Sequence, residues 1–430
     1  MSDILRIGVA GLGTVGAGTL ALLRDNADIL RSRCGKTLSV VAVSARDRAK
    51  DRGVDLSNLK WYDDPRALAE DTNVDVVVEL IGGDSGPALA LVTATLVAGK
   101  PVVTANKALI ALHGTALAAL AEKSGVALSF EAAVAGGIPI IKALRESLAA
   151  NHTNRVYGIL NGTCNYILTT MESTGAEFDD VLAEAQALGY AEADPSFDVD
   201  GIDTAHKLAI LSSVAFGAPV DFAAVYTAGI RNVTATDIRH ASELGFRIKL
   251  LGIATIGEEG IALRVHPCMV PVSSPMAHVD GAFNAVLVDG DFVGRTIFEG
   301  LGAGAGPTAS AVVADLVDIA REWRVPPFGV ASSALVARRS IPIEDRYGAY
   351  YLRLNVLDQS GVLADIAAHL RDHDVSIESV LQRGRDPGER VSVIMTTHET
   401  YEAGLAQALA GISESGAVVD PPCMIRIENL

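Results

Sequence analysis

The sequence predicts an α/β chain in three parts: a parallel sheet with both faces covered, an α+β region, and a closing ferredoxin-like βαββαβ unit. Three observations carry this. Short apolar runs alternate with helical stretches over residues 4–130. After Gly136 helical periodicity dominates, with strand candidates between. From Tyr350 six segments follow in the order strand, helix, strand, strand, helix, strand. Alternating strands and helices imply a parallel sheet, whereas the last order is the split βαβ arrangement.

Taken in order, 4–10 is an apolar strand and 14–30, with Val15, Leu20, Leu22, Leu23 and Ile29, a helix. Strands are expected at 38–43, 74–80, 101–104 and 126–130, with helices at 65–70, 87–98 and 107–123. The second part carries helices at 138–149, 163–174, 178–188 and 202–216 and a strand at 155–160. Segments 246–256 and 261–269 pair around Gly257-Glu258-Glu259-Gly260, and a long helix over 308–323 follows a glycine-rich loop. In the third part strands fall at 350–358, 377–383, 390–396 and 424–427, helices at 361–374 and 401–414, and a turn at 384–389. The linker 338–348 is rich in charge and is expected to be exposed. The expected domains are 1–132, 133–307 and 349–430, with a helical segment 308–335 packing back on the first.

A chain of 430 residues exceeds one core, so two or three domains are expected. Its 35 Lys and Arg stand against 52 Asp and Glu, a net charge of −17, which disfavours nucleic acid as a partner. No apolar run reaches the roughly 18 residues of a membrane span, and no signal peptide precedes the first strand. The cysteines Cys34, Cys164, Cys268 and Cys423 form no CxxC pair. A cytoplasmic protein with reduced thiols is expected.

Gly11-Leu12-Gly13-Thr14-Val15-Gly16 is a GxGxxG motif that follows a strand and opens a helix. That context identifies a Rossmann dinucleotide-binding domain: the glycines permit a tight turn and close approach of a pyrophosphate to free helix N–H groups. The residue after the second strand reads the ribose. Arg46 favours NADP there, while Asp47 beside it leaves NAD open. Strands also end at Glu79-Leu80-Ile81-Gly82-Gly83 and Thr104-Ala105-Asn106-Lys107, where ligands bind such sheets. Lys107 suits a phosphate, a carboxylate or proton transfer.

Glu192, Asp194, Asp198, Asp200 and Asp203 crowd into the segment before a hydrophobic helix. Asp203 and Lys207, four apart, share one face of that helix. A buried lysine paired with an aspartate is costly and marks a functional candidate. Oxidation of an alcohol by a nicotinamide needs such a proton acceptor, and the carboxylates suit an ammonium group.

The segments GYAEADPSFDVDGIDTAHKLAIL (189–211), GILNGTCNYIL (158–168), EAAVAGGIPII (131–141) and GAGAGPTASAVVADL (302–316) resemble homoserine dehydrogenase. The likeness covers nearly the whole chain. It implies NAD(P)-dependent interconversion of L-homoserine and L-aspartate 4-semialdehyde, in threonine, methionine and isoleucine biosynthesis. It also implies that 133–307 binds substrate and joins subunits of a homo-oligomer, a dimer or tetramer. Lys207 matches the family's proton donor and acceptor, Lys107 its second active-site lysine, and Glu192 and Asp203 its substrate-binding residues. Gly302 and Gly304 match a second glycine loop near the cofactor. Glu131, Val134, Gly136 and Ile138 match a monovalent-cation site, taken as sodium.

The last unit resembles an ACT domain, with Asp358-Gln359-Ser360-Gly361-Val362-Leu363-Ala364 at its first strand–helix turn and Ser360 where many members carry proline. The implied effector is threonine. Three competing functions are weaker on residues alone. A phosphoglycerate-type 2-hydroxyacid dehydrogenase would place GxGxxG mid-chain. An aspartate-semialdehyde dehydrogenase needs a nucleophilic cysteine, for which Cys164 lacks an obvious histidine. A nucleotide- and amino-acid-sensing regulator needs no proton-transfer lysine.

Overall fold

The computed structural model describes residues 3–382, 390–416 and 418–430. The N-terminal sheet is built from β1 (Ile4–Ala10), β2 (Thr37–Ser44), β3 (Lys60–Tyr62), β4 (Val76–Glu79), β5 (Val102–Thr104) and β6 (Leu128–Ser129). Its order is β3-β2-β1-β4-β5-β6, parallel throughout. Ile7, Val9, Val76, Val77, Val78, Val102 and Val103 are wholly buried, which explains unbroken apolar runs in place of alternation. The strand order reverses at β1 and β4, so a crevice opens at their carboxyl ends.

Two details depart from expectation. The strand β3 has three residues, too few to show a period. The helix expected over 14–30 is two, Thr14–Asp25 and Ala27–Cys34, because Asn26 leaves helical geometry (φ −108°, ψ 18°).

In the second part the helix Ile202–Phe216 and the hairpin Phe246–Gly257 with Gly260–Pro271 form as expected. The helix expected at 138–149 is instead a short turn, Ile140–Lys142, that widens into a π-helix, Ala143–Ser147. The strands Phe283–Gly290 and Gly294–Leu301 were not expected. The second is a sheet edge, rich in glycine and charge, and so lacks a clean pattern. The helix Ala235–Glu243 is a further element beyond those expected, opened by a capping box of Thr234 and Asp237.

The segment 308–335 is not one helix. Helix Ala305–Ala320 stops well short, and Pro326 and Pro327 bar its continuation. The helix nevertheless returns to the first sheet: Ala311, Val312, Leu316 and Ile319 share a core with Leu20 and Leu23.

The closing unit has strands Tyr350–Leu357, Ile377–Gln382, Arg390–Thr397 and Cys423–Ile427 and helices Val362–Asp372 and Glu402–Glu414. The expected end of the second strand at Arg383 and the turn 384–389 lie outside the described residues. Across the sheet the last strand flanks the first, then come the third and the second. The last strand also pairs in parallel with Gly260–Pro271, through Cys268↔Arg426 and Met269↔Ile427. One sheet therefore runs from the second part into the third.

The linker 338–348 is exposed at most positions, as expected, yet it is fastened to the hairpin. Ile261 N–H donates to Arg339 O and Ile341 N–H to Ile261 O, both at 2.9 Å, and Arg346 is buried against Glu428. No helix among the described residues is long and apolar enough to cross a membrane. All four cysteines are free thiols.

Candidate active site

The crevice begins at the glycine motif. Gly11 has φ +98°, and a Cβ there would lie 2.3 Å from Leu80 O. A Cβ on Gly16 would lie 2.1 Å from Gly11 O, so the first helix sits directly on the turn. Gly13, by contrast, faces open space. It caps the helix Thr14–Asp25, whose first turn, with Val15, carries neither a capping side chain nor an acid. Its N–H groups are left for an anion such as a pyrophosphate. The residues present thus fit a dinucleotide.

Buried Glu79, at the end of β4, ties this edge together. It accepts Ile81 N–H at 2.7 Å, Gly82 N–H at 3.1 Å and Thr104 Oγ1–H at 2.6 Å. Gly304, at φ +118°, opens the helix Ala305–Ala320. A Cβ on Gly136 would lie 2.4 Å from Gly302 O, so the second glycine loop and the loop 134–138 meet backbone to backbone.

Arg46 is exposed just past β2. The Asp47 carboxylate accepts Ala49 N–H at 2.9 Å and so closes a turn. Two arginines went unremarked in the sequence. Arg48 and Arg52 stand 5.8 and 5.6 Å from the Trp61 ring, and Arg52 Nε donates to Leu12 O of the glycine motif at 3.1 Å. Nothing local in the sequence links residues 40 positions apart.

Three elements converge on Asp203 in the buried first turn of helix Ile202–Phe216. Lys207, one turn on, donates from Nζ to Asp203 Oδ2 at 2.8 Å and to Leu160 O at 2.6 Å. Asn161 Nδ2 donates to the same Oδ2 and to Asp198 Oδ1, both at 2.8 Å, while its Oδ1 caps the helix Gly162–Thr174 by accepting Cys164 N–H. Lys107 starts the helix after β5, held by Asn106 as N-cap. Its Nζ lies 2.7 Å from Asp203 Oδ1, and with one donor on that oxygen Oδ1 keeps acceptor capacity. Asn161 and the Leu160 carbonyl had no assigned role in the sequence, although both lie in the segment 158–168 that carries the resemblance and Asn161 suits an N-cap.

Charge in this cluster is uneven. Burial pushes Lys207 below the ordinary lysine value; Asp203 pulls it back up and Lys107 adds to the fall. Burial alone would raise Asp203, but Lys207 and Lys107 hold it well below the usual carboxylate range. Burial, then Asp203, raise Asp198. Lys107, whose side chain is 35% exposed, is penalised by burial yet held above the ordinary value by Asp203, Asp198 and Glu192.

The structure brings Lys107, Asp198, Asp203 and Lys207 together; Glu192 stands on the exposed loop beside them and acts on Lys107 through its charge. Phe197 lies 5.5 Å from Lys107 Nζ and 5.5 Å from the His206 ring. Cys164 is buried, its thiol pushed well up by burial and by Asp198, and it donates to Asp198 O. It is no nucleophile, which removes the aspartate-semialdehyde dehydrogenase alternative.

At the suggested cation loop, both Glu131 carboxylate oxygens are occupied, accepting Ile141 and Lys142 N–H at 2.9 and 2.8 Å. Burial and Asp315 raise Glu131 to about 7. Its carboxylate thus ties the loop to the turn Ile140–Lys142. The buried carbonyls of Val134 and Gly136 accept no hydrogen bond among the described residues, whereas Ile138 O accepts Ile140 N–H at 2.8 Å. No group of three or more His, Cys, Asp or Glu able to hold a metal occurs among the described residues.

Comparison with known proteins gives three family matches: the NAD-binding domain of homoserine dehydrogenase over residues 11–131, homoserine dehydrogenase over 139–317, and the ACT domain over 350–410. The chain is 46% identical over 432 residues to the homoserine dehydrogenase of Neisseria gonorrhoeae, covering 99% of each. Among solved structures it is similar to a homoserine dehydrogenase from Thiobacillus denitrificans, with TM-score 0.94, 49% identity and coverage of 99% and 98%. A hyperthermophilic archaeal homoserine dehydrogenase solved with NADPH aligns at TM-score 0.64 and 27% identity, over 74% of this chain and 98% of that one.

Proposed function

Because the chain belongs to the homoserine dehydrogenase family, we propose that Lys207 is the proton-transfer group in its interconversion of L-homoserine and L-aspartate 4-semialdehyde. The protein is an NAD(P)-dependent oxidoreductase with a C-terminal ACT domain. One observation carries the assignment: Lys207 Nζ donates to Leu160 O and Asp203 Oδ2 at once. A neutral amine has two N–H groups. With both anchored, its lone pair has one direction left, and there it takes the hydroxyl proton of the alcohol. A bound nicotinamide accepts or returns the hydride. In the reverse direction the ammonium form of Lys207 returns the proton to the carbonyl oxygen. Its lowered proton affinity brings both forms within reach.

Asp203 and Glu192 bind the substrate ammonium in this scheme, and the half-exposed Lys107 binds its carboxylate. Arg46, unpaired with Asp47, favours NADP over NAD through the 2′-phosphate. The free carbonyls of Val134 and Gly136 support a monovalent cation such as sodium, with Glu131 and Ile138 contributing backbone oxygens. The domain limits 132/133 and 348/349 are supported by the end of the first sheet at Ser129 and the start of the last unit at Tyr350. The edge strand Gly294–Leu301, with Ile297 and Leu301 exposed, supports a homo-oligomer, and the ACT domain supports feedback by threonine in a cytoplasmic biosynthetic enzyme. The test is nicotinamide reduction with L-homoserine as sole substrate. Turnover lost in Lys207→Ala, with cofactor still bound, supports the assignment; wild type without turnover overturns it.

A further inference from the structure

Asn284, the second residue of the strand Phe283–Gly290, is 1% exposed. Neither its Nδ2 nor its Oδ1 has a hydrogen-bond partner among the described residues. A buried amide without partners lowers the stability of a fold, whereas an apolar side chain of the same shape does not. The fold alone therefore gives no reason for an amide here.

Its surroundings supply one. A Cβ on Gly302 would lie 2.1 Å from both Cγ and Nδ2 of Asn284 and 2.4 Å from its Oδ1. The amide fills the place that a side chain at residue 302 would take, so it sits directly against the second glycine loop. That loop is closely packed on other sides. Gly137 N–H donates to Leu301 O at 3.0 Å, and a Cβ on Gly18 of the first helix would lie 2.8 Å from Ala305 O. The N–H groups of Gly302, Ala303 and Gly304 donate to no group among the described residues.

Asn284 also borders the reacting end of the crevice. It pairs with Gly300, and its neighbour Ala285 pairs with Ile159, the last residue of the strand Thr153–Ile159. Leu160 follows, and its carbonyl anchors Lys207. Hydride transfer brings the nicotinamide to a carbon whose oxygen faces Lys207, and so to this edge of the sheet. We propose that Asn284 is a positioning residue for the nicotinamide end of the cofactor. It props Gly302, and through Gly302 the loop 302–304, and its amide pairs with peptide groups of that loop in the cofactor-bound form. The inference rests on the loop 302–304 meeting the cofactor.

The experiment is calorimetric titration of the full chain with NADPH and with 2′-phospho-ADP-ribose, the same molecule without its nicotinamide, beside thermal melts of the free protein. Asn284→Leu keeps the shape and removes the amide. It is expected to melt at or above the wild-type temperature and to bind NADPH roughly tenfold more weakly, the scale of a lost hydrogen bond or two. Binding of 2′-phospho-ADP-ribose should stay at the wild-type level. A lowered melting temperature with NADPH affinity retained overturns the proposal and makes Asn284 a fastening of the hairpin. Equal weakening of both ligands overturns the link to the nicotinamide. A second pair of variants tests the path through Gly302. Gly302→Ala puts a methyl group on the Asn284 amide and should weaken NADPH binding. Asn284→Ala clears that space, so adding Gly302→Ala to it should cost much less than Gly302→Ala alone; additive effects overturn action through Gly302. Wild-type NADPH binding by Gly302→Ala overturns the cofactor reading of the loop itself.

Discussion

Asp203 and Asp237 are both buried aspartates in the first turn of a helix of the central part, and each holds other parts of the chain. Their coordination differs. Asp237 accepts Arg353 Nε at 2.7 Å and Nη2 at 3.1 Å, Tyr351 O–H at 3.0 Å, and Thr234 N–H and Oγ1–H at 3.1 and 2.7 Å. Asp203 has Lys207 and Asn161 on one oxygen and only Lys107, at 2.7 Å, on the other. A saturated carboxylate has no capacity left for a ligand, so it can only fasten the closing unit to the central helix. An unsaturated one beside two lysines can take up a reacting molecule. Burial and charge, which the two share, do not tell a fastening from a site; the number of acceptor positions left open does.

The strongest test acts on the open cluster. Lys207→Ala is expected to lower kcat by about 10²–10⁴-fold, the usual cost of losing a general acid or base, read on the protein that stays folded. Activity near wild type would place proton transfer elsewhere and erase the contrast.

Arg353→Met should do the reverse. It leaves Asp237 buried with one charge unmatched, and chemical denaturation should show a loss of about 3–5 kcal/mol. The kcat of the protein that stays folded should be unchanged. A chain ended at residue 345 loses Tyr351 and Arg353 together and bares the strand edge at Cys268 and Met269. The structure therefore predicts a destabilised truncation. A truncated chain with wild-type denaturation would contradict the role assigned to Asp237.

Lys107→Met sharpens the account of the open cluster. Lys107 helps burial to lower Lys207, so its removal must raise Lys207. Alcohol oxidation needs neutral Lys207 and rises with pH; carbonyl reduction needs the charged form and falls with pH. Both inflections lie below the ordinary lysine value in wild type and should move to higher pH in the variant. A shift to lower pH, or none, would show that the two lysines are not electrostatically coupled. The smallest effect is expected at exposed Arg46: Arg46→Ala should raise KM for NADP about tenfold more than KM for NAD, the scale of one charged hydrogen bond. Equal effects on the two coenzymes would show that Arg46 does not read the 2′-phosphate.

Short-range order along the chain carries a definite share of this fold. Apolar runs marked five of six strands of the first sheet, GxGxxG marked its phosphate turn, and four-residue spacing put Asp203 and Lys207 on one helix face. It also determined the βαββαβ order of the last unit. It could not show β3 or the strand Gly294–Leu301, because a three-residue strand has no period and an edge strand rich in polar residues has no clean one. Which groups meet is a matter of long-range packing. Asn161 and Asp203 are 42 positions apart, Leu160 and Lys207 47, and Tyr351 and Asp237 114. Such contacts depend on how helices and strands from separate segments stack, and on which buried polar atoms must find partners once water is excluded. The docking of the last strand on Cys268 and Met269, and the acceptor position left open on Asp203, follow from that packing.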